Sequence, residues 1–319
     1  MKILITGVHG FVGLNLVKVL SKEHDIFGLD IIVPVNDGVK FTFKWDDLAK
    51  PNIIPEVDAI IHLAGKAHDT KNRSKAEIYF QVNTELTMKI YDYFLKSSAK
   101  KFIFFSSVKA AADRVEGEFV DENVEPKPVG PYGESKIAAE RYIISRRQED
   151  KETGRQGEKQ TYILRPCMIH GPGNKGNLNL LYGVVKKGIP WPLGAFENKR
   201  TFTSIDNLCY IIEGLLTKDV ESGVYNINDD EAVSTNELIE ISCEAMGKKA
   251  HIWRIPRCFM EAFAKLGGLL HLPLNPDRLQ KLTENYVSSN AKIKKALGIE
   301  KLPVRAKDGL IKTIQSFEK

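Results

Sequence analysis

Tyr132 and Lys136 stand four residues apart, the spacing that puts two side chains on one face of a helix. A free phenol, with a pKa of about 10, is a poor base at neutral pH. An ammonium about 4 Å away in a partly shielded site is worth roughly 4 kcal/mol. That moves a phenol by about three pKa units, so the pair predicts a side chain that moves a proton under the control of Lys136. Ser107 closes the apolar run 101–107, Lys-Phe-Ile-Phe-Phe-Ser-Ser. Its hydroxyl is expected at the carboxyl end of a strand, positioning the same substrate oxygen. The trio still needs a hydride acceptor.

The first thirty residues supply one. Lys-Ile-Leu-Ile-Thr at 2–6 reads as a strand buried on both faces. Gly7, Gly10 and Gly13 follow as G-x-x-G-x-x-G, with Phe11 and Val12 between the last two, and then a helical apolar pattern. A second apolar strand ends on Asp30. Gly7 suits a sharp turn, Gly10 a close approach to a pyrophosphate, and Gly13 close helix–strand packing. The helix N-terminus offers free N–H groups to phosphate. Asp30 is placed to accept from both ribose hydroxyls, and Ile31-Ile32-Val33 brings no cation for a 2′-phosphate. The pattern predicts NAD rather than NADP, and an oxidised nicotinamide would add a second positive charge beside Tyr132.

The rest of the chain must hold these groups together. Strands are expected at 39–45, 57–61, 101–107 and 161–165, the last closed by Pro166, with helices over 77–96 and from Tyr132 onward. Small residues in His62-Leu63-Ala64-Gly65 would let a flat cofactor lie close to a strand end; His62 itself reads as a structural hydrogen-bonding residue. Asp46-Asp47 reads as a helix start or a cap on the adenine side. The polar stretch 146–160 is expected to be a solvated connection. Beyond it, Gly and Pro break the chain into short pieces, with helices predicted over 178–187, 205–216, 235–246 and 257–266. Alternating strands and helices followed by irregular pieces predict a doubly wound parallel α/β sheet of the Rossmann type with a smaller mixed C-terminal substrate-binding region. The expected division is 1–167 for dinucleotide binding, with a strand and helix added from about 201–228, and 168–319 for substrate.

Composition excludes other classes. A net charge of only +5, with scattered basic residues, gives no basic stripe for nucleic acid. Cys167, Cys209, Cys243 and Cys258 show no C-x-x-C spacing, so buried reduced thiols and no metal are expected. Met1 leads straight into the first strand, which predicts a cytoplasmic protein without a signal peptide, and no apolar run reaches spanning length. The segment 259–274 is the most lipid-like, and Glu261, Lys265 and two glycines favour a helix packed on the protein.

These motifs together resemble an extended short-chain dehydrogenase/reductase of the NAD-dependent nucleotide-sugar epimerase/dehydratase family. The resemblance covers nearly the whole chain. It adds Asn83, Ser106 and Arg165-Pro166, then Gly171-Pro172-Gly173, Asn177-Leu178, Arg200-x-Phe202 and Tyr225-Asn226-Ile227. It implies cofactor contacts from Ile31, Leu63, Ala64, Gly65, Asn83, Ser106, Tyr132, Lys136 and Pro166, with Lys136 also expected to hold a ribose. It places Asn177, Leu178, Arg200 and Arg278 on a nucleotide diphosphate, where guanidinium geometry suits phosphate. A homodimer built on the helices around Tyr91 and Tyr132 is also implied.

Departures from the family pattern select among its reactions. Val108 and Lys109 stand where the dehydratases carry Asp-Glu, so dehydration is not expected. Met168 replaces a substrate-binding Asn of many epimerases. The resemblance then implies 4-epimerisation of a UDP-hexose or UDP-N-acetylhexosamine, by oxidation at C4 and return of hydride to the other face. The alternative is one-way reduction of a UDP-4-keto-6-deoxy sugar at the same residues. A non-catalytic dinucleotide sensor on this fold is expected to lose Ser107, Tyr132 or Lys136, and all three are present.

Overall fold

The computed structural model describes residues 1–66, 75–152, 159–174, 176–270 and 274–318. Its centre is a seven-stranded parallel sheet in the order β3-β2-β1-β4-β5-β6-β9. The first six strands are β1 (Lys2–Thr6), β2 (Asp25–Leu29), β3 (Val39–Phe43), β4 (Ala59–His62), β5 (Lys101–Phe105) and β6 (Gln160–Pro166). After a separate parallel pair, β7 (Met168–His170) and β8 (Phe202–Ser204), β9 (Gly223–Ile227) returns to the sheet beside β6. Chain order reverses between β1 and β4, and a crevice opens outside their carboxyl ends at such a switch point.

Helices cover both faces, which is why the inner strands are mostly apolar. The helices of the first half are α1 (Phe11–Leu20), α2 (Ala76–Tyr79), α3 (Leu86–Lys96), α4 (Val108–Ala111) and α5 (Pro131–Glu152). Those of the second half are α6 (Asn177–Lys186), α7 (Ile205–Thr217), α8 (Thr235–Ala245), α9 (Arg257–Leu269), α10 (Pro276–Thr283), α11 (Ala291–Leu297) and α12 (Ala306–Gln315). One core joins β1, β4 and β5 to α1, α7 and α11 through residues such as Ile5, Leu16, Leu208 and Ile293. The opposite core packs Tyr91 and Phe94 of α3 and Ile143 of α5 on Phe102 and Phe104. Tyr91, implied at a dimer face, is fully buried there.

Several expectations need correction. The helix expected over 77–96 contains a wider π-helical stretch, Phe80–Glu85, and Asn83 sits on it. Residues 146–152 continue α5 instead of leaving it: Arg, Gln, Glu and Lys propagate a helix without an apolar face, and Arg146 pairs with Glu149 and Asp92. Residues 153–158 of that stretch lie outside the described residues. Asp47 accepts from the Lys44 N–H at 2.9 Å and from the Lys50 amine at 2.8 Å, so the acid pair starts a short 3-10 turn (Trp45–Ala49). Cys258 is exposed, while the other three thiols are buried. Met168 packs on the cluster of Leu178, Tyr182 and Phe202. Helix α9 buries only Met260, Ala264 and Gly267, so the packing expected of 259–274 holds for a thin stripe; 271–273 lie outside the described residues.

Candidate active site

Thr6 ends β1, and Gly7 turns off it with φ +67, a conformation open to glycine. A Cβ on Gly7 would meet the Ala64 backbone at 2.9 Å, and one on Gly13 would lie 2.4 Å from the Val8 carbonyl oxygen. The turn is therefore pressed against the end of β4 on one side and into α1 on the other. No side chain caps the N-terminus of α1 at Gly10, which leaves N–H groups there for an anion. Phe11 faces Gly171 and Gly173, and Asn15 donates to the Pro172 carbonyl at 3.2 Å. The Gly-Pro-Gly turn of the second half thus closes over the first.

Asp30 is buried at the end of β2. Its carboxylate accepts from the His9 N–H at 3.1 Å and the Ile31 N–H at 2.7 Å. A carboxylate has about four acceptor positions; two are used in holding it still, and two remain for a pair of hydroxyls. The side chains of Ile31, Ile32 and Val33 are exposed. An uncapped helix end, a turn with no room for side chains and a fixed carboxylate fit a dinucleotide.

The residues expected to handle the proton gather at the ends of β4 and β5. Gly65 leaves space filled from the far side by Asn83 and Lys136, whose polar atoms would lie 3.0 and 3.1 Å from a Cβ there. Asn83 is fully buried. It accepts from the Lys66 N–H at 2.7 Å and donates to the Ser135 hydroxyl at 3.0 Å, so it fixes the loop after β4 against α5. Leu63 and Ala64 are held by Thr6 through their N–H groups. Ser107 caps α4, accepting from the Lys109 N–H at 3.2 Å.

Tyr132 lies on the first turn of α5, half-buried, with the Tyr79 ring edge-on at 6.3 Å. Burial raises its phenol above the ordinary value, and a hydrogen bond from Ser107 opposes that rise. The acidified phenol expected from the sequence is not the state of the free chain. The Lys136 ammonium instead donates to the Phe105 carbonyl at 2.8 Å, and burial lowers it to about 8. His62 bridges Thr6 at 2.6 Å and Thr87 at 2.9 Å; burial and Lys136 hold it down at about 3.

Glu140 is a residue that sequence reasoning passed over. It is fully buried one turn beyond Lys136, pairs with Arg165 at 2.6 Å and accepts from the Ser106 hydroxyl. The signal was a lone carboxylate four residues after Lys136, inside Ile137-Ala138-Ala139 and Tyr142-Ile143. The Ser106 hydroxyl is thereby engaged by Glu140. Pro166 ends β6, buried.

The residues implied for substrate sit farther along. Asn177 opens α6, and the Leu178 side chain is buried in the core under it, so any contact from Leu178 must come through backbone. Arg200 reaches α10, donating to the Lys281 carbonyl at 2.6 Å. Arg278 is exposed one turn earlier on that helix, its N–H capped by Asn275 at 2.9 Å.

The sequence model of the NAD dependent epimerase/dehydratase family matches residues 3–228, a span that includes the glycine turn, Asp30, Ser107, Tyr132 and Lys136. The chain belongs to this family. It is therefore an NAD-dependent enzyme, and NAD is the cofactor that its uncapped α1 and Asp30 fit. A UDP-glucose 4-epimerase of Vibrio cholerae is 30% identical over 330 residues, covering 99% of this chain and 95% of that one. The N-acetyl-alpha-D-glucosaminyl-diphospho-ditrans,octacis-undecaprenol 4-epimerase of Escherichia coli O157:H7 is 28% identical over 304 residues, 92% of this chain and 84% of the relative. The crystal structure of the Bordetella bronchiseptica enzyme WbmG with NAD shares the fold, with a TM-score of 0.76 at 18% identity over 100% of this chain and 94% of that one.

Proposed function

We propose that this protein is a 4-epimerase of UDP-activated hexoses or N-acetylhexosamines. The observation that carries the reading is the meeting of Ser107, Tyr132 and Lys136 at the ends of β4 and β5, beside a glycine turn built for a dinucleotide. NAD, when bound, supplies the hydride acceptor and a positive charge.

The Ser107 hydroxyl holds the C4 oxygen of the sugar, and Tyr132 takes and returns its proton. Lys136, tied to the Phe105 carbonyl, keeps α5 and β5 in register and places its charge beside that site. Asp30 holds ribose, and Leu63, Ala64, Gly65 and Pro166 form the bed on which the cofactor lies. Arg200, Arg278 and the start of α6 at Asn177 take the diphosphate. The substrate region is 168–319, less the part from about 201–228 that completes the sheet. With Val108 and Lys109 following Ser107, no acid pair is available to remove water. The outer faces of α3 and α5 form the contact of a homodimer.

A second reading, in which the sugar rides on a polyprenyl diphosphate as in the Escherichia coli relative, is favoured by the exposed apolar side of α9. The test is a panel of UDP-sugars, their 4-keto derivatives and a polyprenyl-diphosphate sugar, with and without added NADH. Inversion at C4 without added NADH supports epimerisation. Net NADH consumption on a 4-keto sugar would assign reduction instead.

A further inference from the structure

Helix α9 has two apolar sides and buries only one. Met260, Ala264 and Gly267 face the core, against Trp191, Leu193, Ile239 and Leu279. Phe259, Phe263, Leu266 and Leu270 recur at helical spacing on another side. They are exposed by 67%, 52%, 51% and 58%, and Leu269 beside them by 76%. Exposed apolar residues are ordinarily scattered singly; a continuous stripe marks a surface that meets something. Trp253, 56% exposed, precedes the helix on a short ribbon paired with Trp191 and Leu193.

The charge around the stripe selects what it meets. Arg257, Glu261 and Lys265 follow one another along its border, all exposed. Across residues 247–270, Lys248, Lys249, Arg254, Arg257 and Lys265 stand against Glu261 alone, in a chain whose whole net charge is +5. Lys248 is tied to the Lys186 carbonyl and Arg257 to the Ala195 carbonyl, which leaves Lys249, Arg254 and Lys265 as the cations a partner would meet. A second copy is a poor occupant. A twofold contact would set these cations against themselves, and five partly exposed side chains present roughly 500 Å² where a stable partner needs about 800 Å². An anionic lipid surface suits both features, since in-plane helices bind by apolar insertion plus attraction of flanking cations. Among the described residues no helix is long and apolar enough to cross a membrane, which fits a helix lying in the surface.

We propose that α9 seats this protein on an anionic bilayer, with Phe259, Phe263, Leu266 and Leu270 in the headgroup layer and the cations on lipid phosphates. The proposal stands apart from the UDP-sugar reaction proposed above and shares only the α9 face with the lipid-linked reading. Its test is flotation of the full chain with vesicles of phosphatidylcholine alone and of phosphatidylcholine with phosphatidylglycerol, at low and high salt. The expected result is flotation with the anionic vesicles only, weakened at least about tenfold by high salt or by Phe263→Ser/Leu266→Ser/Leu270→Ser. Turnover of soluble sugar and the unfolding midpoint should stay unchanged in that variant. Lys249→Glu/Lys265→Glu, which leaves the apolar stripe whole, should lose flotation as well. Absence of flotation of the wild type with anionic vesicles, or flotation of both variants as complete as that of the wild type, overturns the proposal. So does a dimer in sedimentation that the apolar variant abolishes, which would assign the stripe to a second copy.

Discussion

Lys136 and Phe105 are joined across two elements: the ammonium on α5 donates at 2.8 Å to the carbonyl that ends β5. The helix that carries Tyr132 is thereby fastened to the strand whose end carries Ser107. Burial brings the amine down to about 8, with Glu140 opposing the fall, so its charge is present at neutral pH and lost within a reachable range.

The pH dependence follows from that value. Below about 8 Lys136 is an ammonium, and above it the site loses the positive charge. The account predicts that kcat/KM of the NAD-loaded enzyme falls as pH rises through about 8. A Lys136→Met variant should be slower throughout and should lack this alkaline limb, which a pH–rate profile of both proteins would show.

Glu140 should act through Lys136 as well as through stability. Glu140→Gln leaves Arg165 as a buried charge without its anion, a loss of about 3–5 kcal/mol by denaturant unfolding. Adding Arg165→Gln should recover part of it. Because Glu140 raises the Lys136 amine, its removal should also move the alkaline limb to lower pH. A purely structural role for Glu140 would leave that limb in place.

His62 sets an acid limit on folding. It is held neutral down to about 3 against an ordinary 6.5, so between these values the unfolded chain binds a proton that the folded chain does not. Its contribution is present above about 6.5 and is lost as pH falls, by about 1.4 kcal/mol per pH unit. Unfolding measured from neutral pH downward should show this slope in excess of His62→Gln. Equal slopes in the two proteins would refute the assignment.

The sheet and the glycine turn were legible because local chemistry dictates them. Ile3 to Ile5 of β1 are apolar since both faces are covered, and Gly7 and Gly13 occupy points where a Cβ meets backbone. The Tyr132–Lys136 spacing on α5 was legible for the same local reason. What escaped depends on distant partners. Glu140 looks like one more charge on a polar helix until Arg165, on β6, meets it. The polar residues 146–152 carry no apolar period, yet α5 continues through them on propensity and ion pairs. The acidified phenol of Tyr132 is an expectation built on two positive charges, Lys136 and a bound nicotinamide, whereas burial governs it in the free folded chain. The pairing of β7 with β8 is set by strands three residues long, too short to show a period.

In the proposed mechanism Tyr132 moves the proton while the sugar is inverted at C4. The direct measurement follows the C4 configuration of UDP-N-acetylglucosamine and UDP-glucose by NMR, with NAD-loaded wild type and Tyr132→Phe and no added NADH. The account predicts that wild type yields both C4 epimers of at least one sugar. Tyr132→Phe should keep its fold and its NAD while slowing by about 10²–10⁴-fold. Conversion by Tyr132→Phe at the wild-type rate would contradict it.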